Sequence, residues 1–259
     1  MSDEELQRAR LTEVWNACRD ALQRVARDLR ITEQELALAG RYFNRLGASG
    51  MFPSLLAVGL SMTVVDTFRD PRSGTRPNPE GPFHTKGAPL RQDGDLLERE
   101  MGPEAVALHL SGRVTDAESG RPLPGVELDF WQADENGVYD NVGTHLRGIV
   151  RSDANGRYRV RTVVPRDYSE HDGDPIGELF SAMGRHNRRA AHIHLKVGHP
   201  GYTPLTTQIY MPNSDYLGSD YVEGAVSPDL TLRFEPSSQG GTHEVNAAFD
   251  VTLRPSGPR

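Results

Sequence analysis

Hydrophobic positions near the start of the chain recur in steps of three and four. Leu11, Val14, Cys18, Leu22, Val25 and Leu29 lie in one stripe if residues 3–30 form a helix. Thr32 and Glu35 have the spacing of a capping box, and "ELALAGRYFNRL" continues from them as a second helix ending at Gly47. "SLLAVGLSMTVVDTF" (54–68) predicts a third helix despite Gly59. Residues 1–70 are thus expected to be an all-helical domain.

The pattern then disappears. "DPRSGTRPNPEGPFHTKGAPLRQDGD" is rich in proline and has neither helical nor strand period. Residues 71–105 are read as a linker that wraps over another surface, since irregular segments of this length are seldom idle. From Val106 the period becomes two, in "ALHLSGRV", "GVELDFW", "LRGIVRS", "RYRVRTV", "AHIHLKV", "PLTTQIY" and "NAAFDVTL". Turn residues separate many of these runs, at Ser119-Gly120, Asn136-Gly137 and Asn155-Gly156. Short strands so spaced predict a mainly β fold, a β-sandwich over 106–259. "PIGELFSAMGRH" (175–186) is the one stretch that reads as a short helix among them.

Composition narrows the function classes. The chain has 259 residues, enough to bury a core without staples, and its single cysteine, Cys18, excludes an intramolecular disulfide and a cysteine-rich zinc site. A net charge of -7 argues against nucleic acid as the main partner, because phosphate binding wants a basic face. No apolar run approaches the ~20 residues of a membrane span, and the acidic start is unlike a signal peptide, so a cytoplasmic location is expected.

Candidate chemistry centres on "RRAAHIHLKV" (188–197). Alternation on a strand puts His192 and His194 on one face and Ile193 and Leu195 on the other. Two imidazoles on one face can reach one metal ion, and imidazole suits iron, copper, zinc or nickel. A cupin would add a glutamate shortly after the pair, which is missing here. A zinc hydrolase would add a third histidine, and His199 sits in a Gly-Pro turn. The other histidines, His84, His109, His145, His171, His186, His199 and His243, are read as surface or core residues. Tyr139 and Tyr168 fall at loop positions beside strand ends, where sites are usually built. A phenol titrates near ~10, so it ligates at neutral pH only beside a strongly Lewis-acidic ion; ferric iron qualifies.

Taken together, these segments resemble the intradiol ring-cleavage dioxygenases of the catechol and hydroxyquinol 1,2-dioxygenase type. The similarity is carried by "GPFHTKGAP" (81–89), "SGRVTDAESGRPLPGVELDFWQADENGVY" (111–139), "YRVRTVVPRDY" (158–168) and, most specifically, "GRHNRRAAHIHLKV" followed by "LTTQIY". The resemblance implies a non-haem Fe(III) centre held by Tyr139, Tyr168, His192 and His194. Arg189 and Gln208 would then stabilise negative charge developing on the substrate, and Tyr168 would accept a substrate proton. Gly81, Pro82 and Phe83 would line the substrate pocket. The implied reaction inserts both atoms of O2 into a catecholic ring, catechol or hydroxyquinol, to give a cis,cis-muconate-type dicarboxylate. The resemblance also implies a homodimer through the N-terminal helices, whose paired faces enclose a tunnel that can hold a phospholipid.

Three features depart from the family pattern. His84 replaces a second aromatic, Ala190 replaces a proline, and the segment from Tyr139 to Arg147 is short. A chlorocatechol 1,2-dioxygenase is the alternative within the family. Outside it, "GRVTDAESGRPLPGVEL" alone is also similar to non-enzymatic β-sandwich binding modules, which have no need of all six polar site residues.

Overall fold

The computed structural model describes residues 2–70, 74–236 and 243–257. By internal contacts the chain divides into two compact units, Met1–Phe52 and Pro53–Arg259. The first unit holds α1 (Asp3–Asp28) and α2 (Glu33–Ala48). Both begin with a capping box, Ser2 with Glu5 and Thr32 with Glu35, which satisfies backbone donors that an open helix end leaves unpaired. The stripe expected on α1 is there but uncovered: Leu11, Leu22 and Leu29 are each about 70% exposed. α3 (Phe52–Thr67), which the hydrophobic pattern groups with the preceding helices, begins at the division and runs on in the second unit.

The second unit is built on two sheets. One joins β1 (Ala107–Asp116), β4 (Arg157–Val163), β9 (Glu235–Pro236), β10 (Glu244–Ala248) and β11 (Val251–Leu253). The other has the order β3 (Arg147–Arg151), β2 (Glu127–Gln132), β7 (His192–Gly198), β8 (Leu205–Tyr210). Their apolar alternates meet in one core: Leu108, Leu110 and Val160 from the first sheet, Leu128, Phe130, Ile193, Leu195, Val197 and Ile209 from the second. This is the mainly β architecture that the period-two runs predict. α4 (Pro175–Ala182) is the short helix expected there, capped by Asp174.

Two details lay beyond the pattern. A two-stranded ribbon, β5 (Tyr168–Ser169) with β6 (Arg188–Arg189), pairs Tyr168 with Arg189. The run "NAAFDVTL" is interrupted: β10 and β11 both pair with β1 in parallel, but the ladder breaks at Phe249, whose carbonyl accepts the Tyr158 hydroxyl at 2.6 Å. Gly112 faces the same carbonyl and leaves it no room for a Cβ.

The wrapping segment is pinned rather than folded. Leu90 bridges to Ile149 of β3, Asp95 to Arg161 of β4, and the Asn78 amide donates to the Thr206 carbonyl of β8. This lays residues 78–84 beside the polar face of β7. Pro71–Ser73, at the start of the predicted linker, lie outside the described residues.

Tyr158 is buried, so Tyr158→Phe leaves the Phe249 carbonyl without its donor. The loss is expected to be about 1–3 kcal/mol, read as a shift of the urea unfolding midpoint at constant slope.

Candidate active site

The register of the second sheet assembles the site. His194 pairs with Trp131 of β2 on one side and Gln208 of β8 on the other, while His192 pairs with Tyr210. Alternation sends Ile193, Leu195 and Val197 into the core, so both imidazoles emerge on the opposite face. The ribbon brings Tyr168 and Arg189 alongside. Tyr139 arrives from the turn after β2, where Gly137 has φ 81° and a Cβ would strike the Asp167 carbonyl.

Four donor atoms converge. His192 Nε2 lies 3.0 Å from His194 Nε2, His194 Nε2 lies 3.0 Å from the Tyr139 oxygen, and the two phenol oxygens are 3.4 Å apart. All four side chains are buried. His192 Nδ1 is 2.6 Å from the Ala190 carbonyl, which can only accept; Nδ1 therefore carries the proton and Nε2 presents a lone pair. Burial depresses the pKa of His192, helped by the charge of Arg189, and burial followed by the neighbouring His192 depresses that of His194. Both rings stay neutral, the form in which imidazole ligates. Burial also raises both phenols well above their ordinary value.

Such a cluster fits a metal ion. Polar atoms turned toward each other in a dry pocket, two imidazole nitrogens 3.0 Å apart among them, are unfavourable unless a cation lies between them. Among the described residues no group of three or more His, Cys, Asp and Glu side chains is placed to hold a metal, so this centre depends on its phenol oxygens. Phenols this desolvated ionise only beside a strong Lewis acid. His199 does not join them, its Nδ1 facing the Pro200 carbonyl in an exposed turn.

Arg189 and Gln208 sit next to the cluster as one hydrogen-bonded piece. Arg189 Nη2 donates to Gln208 Oε1 at 2.6 Å, and Tyr210 donates to the same oxygen at 2.7 Å. Burial works against the guanidinium charge, but Asp220, 3.0 Å away, together with Tyr168, Tyr210 and Glu170 outweighs it, and the pKa of Arg189 lies well above the usual value. Gly81 and Pro82 line a cavity of about 330 Å³ together with Arg189, Gln208, Glu170, Tyr221 and one face of α3. Phe83 is not part of that lining; its ring stacks on Tyr139 at 4.3 Å. Gly81 has φ 72°, and a Cβ there would stand 3.2 Å from His194 Cε1, so only glycine lets the backbone come this close.

Three contributors escaped the pattern reading. Trp131 lies flat on His194, 4.7 Å between centroids and 6° between planes. Asp220 comes from a loop with no recognisable motif. Glu170 accepts the Tyr168 hydroxyl at 3.0 Å, two residues further along the chain. The departures also find places. His84 packs edge-on to Trp131 and faces Asp129 at 3.0 Å, and Ala190 supplies an N–H to Asp220 at 2.7 Å that proline could not.

Comparison with known proteins identifies this arrangement. A family model described as "Dioxygenase" matches residues 79–255. The chain belongs to the intradiol ring-cleavage dioxygenases. It is 32% identical to a chlorocatechol 1,2-dioxygenase of Pseudomonas sp. (strain P51), over 93% of this chain and 96% of that protein. It is 36% identical to a 6-chlorohydroxyquinol 1,2-dioxygenase of Cupriavidus pinatubonensis (strain JMP 134 / LMG 1197), over 96% and 92%. The crystal structure of 3-chlorocatechol 1,2-dioxygenase from Rhodococcus opacus 1CP superposes with a TM-score of 0.87 at 30% identity, covering 96% of this chain and 99% of that one. The enzyme is therefore an oxidoreductase of this family, which uses non-haem iron. Among its described residues no single helix is long and apolar enough to cross a membrane.

The neutral histidines make the metal-free enzyme acid-labile. Their folded pKa values lie below the unfolded value of about 6.5, so the unfolded chain binds more protons as pH falls from there. Unfolding free energy after chelation should decline from about pH 6.5 downward, and a His192→Gln/His194→Gln variant should show a flatter profile in urea titrations.

Proposed function

We propose that the enzyme is a ferric intradiol dioxygenase for a catecholic ring, catechol or hydroxyquinol, with Tyr139, Tyr168, His192 and His194 as the iron ligands. The observation that supports this most is the meeting of two neutral imidazole nitrogens and two buried phenols, each 3.0–3.4 Å from the next in the order His192, His194, Tyr139, Tyr168. When bound there, Fe(III) would supply the Lewis acidity that keeps phenols and catechol ionised and makes the ring reactive toward O2. The product is a cis,cis-muconate-type dicarboxylate carrying both oxygen atoms.

The chain's own residues do the rest. Tyr168, ionised when the metal is held, would accept a substrate proton at its phenolate oxygen, and the hydroxyl so formed lies within hydrogen-bond reach of Glu170. Arg189, immobilised by Asp220, and Gln208, held between Arg189, Tyr210 and the Pro79 carbonyl, present fixed dipoles and charge toward the cavity. Groups so fixed stabilise developing negative charge without reorganising. Gly81 and Pro82 bound the space in which the ring lies. A chlorinated catechol is the second reading, favoured by the activities for which two of the similar proteins are named. A binding module is disfavoured, because it would have no use for so costly a set of desolvated polar groups.

The domain roles follow the same reading: a helical N-terminal region for dimerisation, a wrapping segment and a catalytic sandwich. The exposed stripe Leu11–Leu29 on α1 is the surface that a second copy would cover, leaving between the paired helices a channel able to take a phospholipid.

Iron-loaded protein should be red from phenolate-to-iron charge transfer, and its colour should shift on anaerobic addition of catechol. Tyr168→Phe should lower O2 uptake with catechol at least about 100-fold, as expected for loss of a positioned proton acceptor. His194→Ala should lose iron as well as activity. A colourless, fully iron-loaded protein would refute the phenolate assignment. In sedimentation velocity the chain should run as a dimer and Leu11→Glu/Leu22→Glu as a monomer; a monomeric wild type would remove the dimer proposal.

A further inference from the structure

We infer that Glu170 sets substrate preference, selecting catechols whose ring carries a further hydrogen-bond donor, a hydroxyl or an amine, over chlorinated or carboxylated ones. This rests on the ring-cleavage reading above and narrows it.

The cavity beside the four donor atoms has largely apolar walls, Ala57, Val58, Pro79, Pro82 and Val222 among them. Into this setting the bend after β5 projects a carboxylate, that of Glu170. The Glu170 side chain is only 12% exposed, and it lines the cavity on the side of Tyr168. One oxygen, Oε1, takes the Tyr168 hydroxyl and lies 3.8 Å from Arg189, whose guanidinium is already committed to Asp220 and Gln208. The other, Oε2, has no hydrogen-bond partner among the described residues. Open to the cavity and matched by no protein donor, Oε2 is free to take a hydrogen bond from a donor on the bound ring, whereas an apolar substituent would strip its water and return nothing.

A second observation on another element points the same way. Ser54, Ala57, Val58 and Ser61 lie at helical spacing along the cavity-lining face of α3, and the Ser61 hydroxyl oxygen is buried without a partner. The cavity thus offers an open carboxylate oxygen, with an unpartnered hydroxyl enclosed in its α3 wall. A polar ring substituent suits the carboxylate oxygen. Chlorine cannot satisfy it well, and a carboxylate substituent would meet Glu170 as a like charge, with Arg189 already neutralised by Asp220.

Hydroxyquinol, 4-chlorocatechol and 3,4-dihydroxybenzoate differ at one ring position and serve as probes. With iron-loaded wild type, kcat/KM for hydroxyquinol should exceed that for 4-chlorocatechol by roughly 10- to 100-fold, the range of a hydrogen bond to a charged group. 3,4-Dihydroxybenzoate should be the poorest of the three. Glu170→Leu should bring the hydroxyquinol to chlorocatechol ratio close to one, and Glu170→Gln, which keeps an acceptor oxygen, should fall between. Anaerobic calorimetric titration of the same ligands should give the same order in Kd without turnover. A ratio that survives Glu170→Leu, with all substrates slowed alike, would show that Glu170 acts only through Tyr168 and would overturn the assignment. So would a wild type that prefers 4-chlorocatechol in both assays. Failure of all catechols to turn over would count against the ring-cleavage reading, and the binding order would still decide the role of Glu170. Should Glu170→Leu not fold, Glu170→Gln carries the test through its intermediate ratio.

Discussion

The site depends on the two-residue alternation of a single strand packed into a sandwich. β7 gives Ile193, Leu195 and Val197 to the core, and that burial leaves His192 and His194 no choice of face. Hydrophobic packing thereby fixes the separation of the two imidazoles more firmly than any hydrogen bond between the rings could. The flat contact of Trp131 on His194 then fixes that ring's rotation, and the Ala190 carbonyl on His192 Nδ1 sets the rotation and tautomer of His192. A one-residue slip of β7 against β2 would bury the imidazoles in the core and expose three aliphatic side chains instead.

Around this strand the protein collects desolvated polar groups that are unfavourable singly and tolerable together. Arg189 is buried because Asp220 is buried with it, and Gln208 is held because Arg189 and Tyr210 both use its oxygen. A buried pair of this kind contributes little net stability relative to apolar packing, so its retention speaks for a chemical role. The same economy explains how Ala190 serves in place of a proline: its free N–H joins the donors around Asp220. His84, in the place of an aromatic, still packs on Trp131 while its ring nitrogen reaches Asp129, whose carboxyl burial pushes above its usual pKa.

Much of this was legible in the residues. Periods of 3.6 and 2 mark the three N-terminal helices and seven strand runs, and the His-x-His spacing marks the metal-competent face. What escaped has common physical causes. β5 and β6 are two residues each, too short to carry a period, yet they bring Tyr168 beside Arg189. Asp220 lies in a loop and meets Arg189 across 31 positions of sequence, a pairing that only tertiary structure creates. The run containing Phe249 reads as one strand because alternation continues through it, whereas a buried tyrosine hydroxyl captures the carbonyl that would have continued the ladder. Glu170 sat in plain view two residues from Tyr168, but a lone glutamate after a turn has no pattern to distinguish it from a solvated one.

The close seat of Gly81 has a geometric outcome. With backbone pressed against the His194 ring, Phe83 layered on Tyr139, and Trp131 closing the other side of His194, three flanks of the metal-binding face are sealed by protein. Among the described residues, the cavity beside this face opens toward α3 and Glu170. On the proposed reading, an aromatic ring would present its substituents to that side.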